Sequence, residues 1–183
     1  MELPKILVLY DPKQTIHNNF NDIAFYTDFY IDNNFTHYFF DESYRCGQNT
    51  SIAKLSNAIL NNKEISDFVI AFNEVEKLKI VKGIIDETKY LKTEQIILIH
   101  SFLIDEFKKI ADDFFKSELE ELKESNINIP TSKIRYTTPI KYRGLENKSV
   151  YLITNELDEK CKVQNYVAIT RAMDEVKIIL WKK

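Results

Sequence analysis

The chain has 183 residues, of which 44% are hydrophobic and 29% charged, and its formal net charge is −3. This length and composition suit one globular domain or slightly more, with enough apolar residues for a core. The small negative charge excludes a protein that holds nucleic acid by bulk charge, so any such contact has to be a local patch. The chain begins without a signal-peptide pattern, and no apolar run approaches the roughly 20 residues that span a bilayer. We therefore expect a cytoplasmic protein with no membrane partner.

Short apolar runs alternate with amphipathic segments along the chain. The early run KILVLY is typical of a buried parallel strand, and the polar stretch Asn18–Asn34 is a connector. Strands that alternate with helices predict an α/β fold, with a parallel sheet covered by helices on both faces. The predicted strands are Lys5–Tyr10, Phe35–Phe40, Gln95–His100, Ser149–Thr154 and Val176–Trp181, and the predicted helices are Thr50–Leu60, Val75–Leu91 and Leu103–Leu122.

Two segments near the end of the chain carry the strongest functional signal. In KYRGLE, Gly144 permits close approach of the backbone to a ligand, since glycine has no Cβ. Glu146 follows just before a predicted strand, and we expect it at the carboxyl edge of the sheet, where α/β sheets bind ligands. In QNYVAITRA, a predicted helix presents Arg171, with Val167 and Ala168 packing inward. A planar, permanently charged guanidinium suits the charge that develops on a γ-phosphate.

Read together, these segments resemble motifs V and VI of superfamily 1 helicases of the UvrD/Rep type. The resemblance implies that Glu146 hydrogen-bonds the ribose of ATP and that Gly144 lies beside the nucleotide. It implies that Arg171 acts as an arginine finger in phosphoryl transfer. The threonine and basic residues of the motif V segment would contact single-stranded DNA; they are Thr138, Lys141 and Arg143.

Two earlier segments resemble the preceding motifs of the same family. Glu42–Gln48 (ESYRCGQ) resembles motif IV, which implies that Arg45 is a second arginine at the γ-phosphate and that Tyr44 contacts the nucleotide. Leu9–Ile16 (LYDPKQTI) resembles motif III, in which Gln14 would sense the γ-phosphate. The four motifs occur in family order along most of the chain, and this order strengthens the assignment.

The part of such an enzyme that holds ATP is missing from the sequence. There is no GxxxxGK[ST] loop to cradle phosphates, and the magnesium-binding DExx that precedes motif III is also absent. The resemblance therefore implies that residues 1–34 are a remnant of the first RecA-like domain, 1A, and that residues 35–183 are the second RecA-like domain, 2A. The stretch between motifs IV and V is too short for a large inserted 2B domain.

We accordingly expect a piece of a larger ATP-dependent DNA helicase or translocase. ATP with Mg²⁺ would be bound only by the intact enzyme, and the isolated chain would be inactive. The implied partners are single-stranded DNA and an N-terminal ATP-binding helicase domain.

Two alternatives stay open at this point. A helicase-like half could be a non-catalytic module that binds a partner or single-stranded DNA, for which the chain offers the basic cluster Lys133, Arg135, Lys141, Arg143 and Lys148. A small α/β domain of the flavodoxin type would explain the run KILVLYD but neither late motif. The three histidines, His17, His37 and His100, are interpreted as surface or core-edge residues, because they form no metal-binding or catalytic pattern.

Overall fold

The computed structural model describes residues 50–157 and 160–182. The chain divides into two compact units, 1–40 and 41–183, and all described residues belong to the second. The predicted boundary between residues 34 and 35, and the predicted strands Lys5–Tyr10 and Phe35–Phe40, lie outside the described residues.

Four helices and six strands make up the described fold, together with a short 3₁₀ helix at Lys92–Glu94. In chain order they are α1 (Thr50–Leu60), β1 (Val69–Ala71), α2 (Glu74–Ile85), β2 (Gln95–Ile99), α3 (Ile104–Phe114), β3 (Leu119–Glu121), β4 (Ile134–Thr137), β5 (Asn147–Thr154), α4 (Lys162–Ile169) and β6 (Ala172–Trp181). No helix within these residues is long and apolar enough to cross a membrane.

The strands form one sheet in the order β1-β6-β5-β2-β4-β3, and every neighbouring pair is parallel. All five residues of β2, which has partners on both sides, are buried. Continuous apolar strands are typical of parallel sheets covered on both faces. The predicted parallel α/β sheet is thus confirmed and is consistent with a RecA-like domain, whereas the strand order differs from the 2-1-3-4-5 order of flavodoxin-type folds.

Each face of the sheet has its own apolar cluster. Side chains alternate between faces along a strand, so Ile97 and Ile99 of β2 lie on the first face and Ile96 and Leu98 on the second. Helices α2 and α3 cover the first face. Helices α1 and α4 cover the second face together with the loop 138–146, which contributes Tyr142 and Leu145.

The chain winds in two directions across the sheet. The connections from β1 to β2 and from β2 to β3 run over the first face through α2 and α3. The connections from β4 to β5 and from β5 to β6 run back over the second face. Since α3 leaves β2 on one face and α4 leaves the adjacent β5 on the other, the carboxyl ends of these two strands form a topological switch point.

Helix α2 begins where its sequence provides a cap. The side-chain oxygen of Asn73 accepts a hydrogen bond from the backbone N–H of Glu76 at 3.0 Å, and Glu74 and Glu76 place negative charge in the first turn. Both features stabilise a helix N-terminus, because they satisfy a free N–H and complement the helix dipole.

The sequence pattern misplaced several boundaries. The predicted helix 103–122 ends at Phe114, because Leu119–Glu121 pairs with β4 as the edge strand β3. The predicted helix 75–91 ends at Ile85. Strands β1, β3 and β4 were not predicted, because three or four residues are too few to show a strand period. Helix α1 and the strands β2, β5 and β6 lie where expected, although β5 and β6 begin two and four residues earlier than predicted.

The aromatic centre of the first face predicts a large stability difference between two phenylalanines. Phe107 is fully buried, with its ring centroid 5.1 Å from that of Tyr136 and 5.7 Å from that of Trp181, whereas Phe114 on the same helix is 56% exposed. We expect Phe107→Ala to lower the free energy of unfolding by about 3–5 kcal/mol, since it leaves a cavity. Phe114→Ala, the matched control, should cost less than about 1 kcal/mol. Urea unfolding measures both, and equal losses would contradict the assignment of the core.

Candidate functional site

The loop 138–146, which contains the motif V segment, joins opposite edges of the sheet. It leaves the carboxyl end of β4 at Thr138 and reaches the amino end of β5 at Glu146, crossing β2 on the second face. The buried side chain of Tyr142 anchors its middle, and its hydroxyl donates a 3.1 Å hydrogen bond to the backbone oxygen of Glu146. The loop therefore presents its polar residues at two separate places.

At the carboxyl edge, the loop begins with a tight turn. Thr138 is buried, and its Oγ1 accepts a hydrogen bond from the backbone N–H of Lys141 at 3.4 Å. The backbone N–H of Tyr142 donates to the oxygen of Thr138 at 3.1 Å. Lys141 and Arg143 are exposed, so the loop carries all three predicted single-strand contacts, of which Thr138 and Lys141 are joined by this hydrogen bond.

Gly144 is required by the backbone conformation of the loop. Its φ of +85° lies in the left-handed region, which residues with a Cβ rarely adopt. The glycine of the motif V resemblance thus has a conformational role in the chain reversal before Glu146.

Glu146 and Arg171 lie side by side, but at the amino edge of the sheet. Asn147, the first residue of β5, pairs with Ala172, the first of β6, and the backbone N–H of Asn147 donates to the oxygen of Arg171 at 3.0 Å. The expected carboxyl-edge position of Glu146 is therefore wrong. The rule for ligand sites concerns residues that follow a parallel strand, whereas Glu146 precedes one.

Arg171 is not on the helix that was expected to present it. Helix α4 ends at Ile169, and the backbone N–H of Arg171 donates to the oxygen of Ala168 at 3.1 Å in a closing turn. Val167 and Ala168 are fully buried, as predicted. Arg171 itself is only 1% exposed; its Nε donates to the oxygen of Val167 at 3.1 Å. A cation that binds carbonyls at a helix C-terminus stabilises that helix.

The pKa of Tyr142 depends on both Glu146 and Arg171, the two residues predicted to act on the nucleotide. Burial raises the pKa of Tyr142 to about 12, and the nearby charge of Glu146 acts in the same direction, while that of Arg171 opposes it. The phenol therefore stays protonated at neutral pH and keeps its hydrogen bond to Glu146.

A cavity of about 410 Å³ opens beside Glu146 at the amino edge. It lies between the loop 138–146 and residues 127–131. Arg135 holds this second segment in place through its backbone oxygens. The guanidinium of Arg135 donates to the oxygens of Asn126 at 2.8 Å and Ile127 at 3.1 Å and pairs with Glu120 at 3.2 Å. The cavity has an apolar floor, which includes Ile96, Leu122 and Leu145, and a rim that includes the Glu146 side chain.

The predicted basic cluster separates in the structure. Arg135 holds the 127–131 segment, Lys133 Nζ donates to the oxygen of Lys116 at 2.8 Å, and Lys148 pairs with Glu94 at 2.6 Å. Lys141 and Arg143 stay together as the exposed basic pair of the loop.

The residues that would hold nucleotide are only partly suited to it in this conformation. Glu146 is exposed beside the cavity, and a carboxylate there can accept hydrogen bonds from a ribose. The buried Arg171 guanidinium does not reach a phosphate in solvent without a change of environment.

Within the described residues no group of three or more acidic, histidine or cysteine side chains could hold a metal ion. The predicted residues Gln14, Tyr44 and Arg45 lie outside the described residues.

Comparison with solved structures shows a similar fold. The C-terminal domain of a possible DNA helicase from Lactobacillus plantarum WCFS1 has a TM-score of 0.59 and 16% sequence identity, over 76% of this chain and 88% of that domain. No family model and no curated protein sequence matches the chain. At this identity the likeness shows the fold alone.

Two glycines test whether the conformation at Gly144 is required. Gly144→Ala should lower the free energy of unfolding by about 1 kcal/mol or more, because alanine is strained at φ +85°. Gly83→Ala, at an exposed position in the last turn of α2, should raise it by about 0.5–1 kcal/mol, since an added Cβ would meet nothing within 4 Å. Thermal unfolding of both variants measures the signs, and a stabilised Gly144→Ala variant would contradict the assignment of this turn.

The burial of Arg171 changes what its removal should do. Arg171→Ala should lower the free energy of unfolding by about 2–4 kcal/mol, because the Val167 carbonyl and the Thr170 hydroxyl lose their donor inside the protein. Arg171→Lys keeps the charge without the planar fork, so we expect an intermediate loss. If urea unfolding shows Arg171→Ala to be as stable as the parent chain, the side chain has no structural role.

Proposed function

We propose that this chain is the C-terminal motor domain of an ATP-dependent DNA helicase or translocase of the superfamily 1 type. The supporting observation is the loop 138–146, which carries the motif V residues. Thr138 and Lys141 lie towards one edge, the exposed Arg143 follows in the loop, and Glu146 lies beside Arg171 at the other edge. The similarity in fold to the C-terminal domain of a possible DNA helicase agrees with this proposal.

In this proposal, each end of the loop has a separate task. Lys141 and Arg143 contact phosphates of single-stranded DNA, next to the turn that the Thr138 hydroxyl closes. Glu146 accepts hydrogen bonds from the ribose of ATP, which an N-terminal ATP-binding domain holds. That domain also supplies the phosphate loop and the Mg²⁺ ligands that the chain lacks.

Arg171 serves the reaction indirectly or after a rearrangement. It stabilises the turn between α4 and β6, next to Glu146, through hydrogen bonds to Val167 and Thr170. A direct role at the γ-phosphate, together with Arg45 and Gln14, requires the guanidinium to exchange these bonds for phosphate oxygens when the partner domain closes.

The second candidate is a non-catalytic module that binds single-stranded DNA without turning over ATP. The burial of Arg171 favours it, because a guanidinium held by its own helix is not available to phosphate in the isolated chain. ATPase assays on the chain mixed with a separately produced ATP-binding helicase domain distinguish the two. DNA-stimulated hydrolysis that requires Glu146 supports the motor domain, and its absence favours the module.

The exposed basic pair yields a quantitative prediction for DNA binding. Lys141→Ala/Arg143→Ala should weaken binding of a dT oligonucleotide and reduce the salt slope (log affinity against log salt) by about 1.4, because each phosphate contact on a single strand contributes about 0.7. Fluorescence anisotropy at several salt concentrations measures both quantities.

The matched control is Lys79→Ala/Lys109→Ala. It removes the same charge from exposed positions on α2 and α3, the helices that cover the opposite face of the sheet. Unchanged binding in this control, with a reduced slope in the loop variant, locates the contact on the loop. Equal slopes in the two variants would contradict the proposal.

A further inference from the structure

The carboxyl ends of β2 and β5 form a crevice to which the four motifs contribute only Gln164, the first residue of the motif VI segment. The backbone N–H of His100, the residue after β2, donates to the oxygen of Ile153 in β5 at 2.9 Å. Ser101 and Phe102 follow, and Gln164 of α4 lies across from them, with Nε2 3.5 Å from Ser101 Oγ. This is the topological switch point of the sheet, where open α/β sheets bind ligands. We name these four residues the switch-point crevice.

Two polar side chains in the crevice lack hydrogen bonds that burial normally demands. His100 is 1% exposed, and neither of its ring nitrogens has a partner within the described residues. The buried Oε1 of Gln164 likewise has none there. An unpaired buried polar group is unfavourable, so its presence calls for an explanation such as a ligand.

Phe102 gives the crevice an aromatic surface in solvent. It is 71% exposed, and its ring centroid lies 4.6 Å from that of His100 at an interplanar angle of 49°. The imidazole thus supports the phenyl ring from its buried side, and burial lowers the pKa of His100, which favours the neutral ring. A supported, exposed ring next to neutral amide and hydroxyl groups suits a nucleobase, which offers a flat apolar face and a polar edge.

The charges around the crevice favour one orientation of a strand. Thr137 pairs with Leu98, so Thr138 and Lys141 lie on the β4 side, and Arg143 follows in the same loop. Asp105 opens helix α3 and places negative charge beyond Phe102, while the carboxylate of the next residue, Glu106, is paired with Lys77 at 2.7 Å. Phosphates are therefore drawn to the side of the basic pair, and the bases are left to face the aromatic ring.

We propose that the switch-point crevice takes a base of single-stranded DNA, with Phe102 as the stacking surface and His100 as the residue that positions it. The inference rests on the proposed function, because the loop 138–146 holds the backbone of the same strand. Phe102 adds a contact that is aromatic and uncharged, whereas the loop contact is electrostatic. The two contributions are therefore separable by experiment.

Anisotropy titrations of the full 183-residue chain with a dT oligonucleotide of about 12 nucleotides test the inference. Phe102→Ala should weaken binding roughly tenfold, the scale of one lost base stack, and should keep the parent salt slope because no charge is removed. Phe114→Ala removes an exposed phenylalanine at the far end of α3 and should bind like the parent chain. Circular dichroism verifies that both variants fold.

A fluorescence readout makes the test independent of affinity. The chain has one tryptophan, Trp181, which is fully buried. Phe102→Trp keeps an aromatic surface at the site, and the new tryptophan should be quenched by the oligonucleotide, whereas Phe114→Trp should not be quenched. Stronger quenching by free dTMP than by the oligonucleotide would overturn a strand site in favour of a mononucleotide site.

The outcomes distinguish the inference from the proposed function. The stacking site alone is overturned if the parent chain binds, Phe102→Ala binds with the same affinity and Phe102→Trp is not quenched. That result leaves the basic pair of the loop in place. No binding of the oligonucleotide by the parent chain at low salt overturns both.

Discussion

Strand β2 is the element on which the rest of the structure depends. It is buried along its whole length and hydrogen-bonded to parallel partners on both sides. The chain that leaves a central parallel strand has to cross one face of the sheet. Here α3, which follows β2, lies on the first face, whereas the segments that follow the neighbouring strands β5 and β4 lie on the second. The chain therefore separates on either side of β2 at its carboxyl end. This geometry opens the crevice around His100, and it leaves the second face of β2 to be covered by a loop.

That loop is unusual because it makes a parallel crossover without a helix. Residues 138–146 span the sheet from edge to edge, held by the buried Tyr142 and by the left-handed turn at Gly144. A helix in the same place would bury its middle residues against the sheet and carry its polar ones outward along its whole length. The loop instead buries Tyr142 in its middle, leaves Lys141 and Arg143 exposed on either side of it, and ends with Glu146 at the amino edge.

The sequence was sufficient to predict the elements that repeat a clear pattern. The apolar runs of β2, β5 and β6 are long enough to be recognised as buried strands, and α1 is long enough to show a helical period. The alternation of strands and helices along the chain then predicts the parallel α/β fold. The residues 119–121 continue the charged pattern of the preceding helix, and only their pairing with β4 makes them a strand. Such pairing is a tertiary interaction, so no local pattern reports it.

The site was harder to predict than the fold, for a reason that the register of the strands makes clear. The motif resemblance identified Glu146 and Arg171, which are neighbours through the pairing of Asn147 with Ala172. The edge on which they meet, and the burial of Arg171, depend on where β5 begins and where α4 ends, and the sequence leaves these points uncertain by several residues. Phe102 was not singled out at all. Its exposure and its contact with His100 arise from the turn after β2, and no spacing in the sequence distinguishes it from the phenylalanines of the core.

The placement of the two proposed sites on opposite edges bears on how they could be coupled. The strand site and the ribose site are joined by one covalent path, the loop 138–146, and by one shared core residue, Tyr142, whose hydroxyl bonds to the backbone of Glu146. Tyr142 packs in the apolar cluster of the second face, and close-packed interiors transmit displacements. A shift of Glu146 on closure of a nucleotide-bearing partner would therefore move the middle of the loop, and with it the turn that carries Lys141. Coupling of this kind requires only that the loop move as a unit while β2 stays fixed beneath it, and the hydrogen bonds of β2 to both neighbours provide that fixed base.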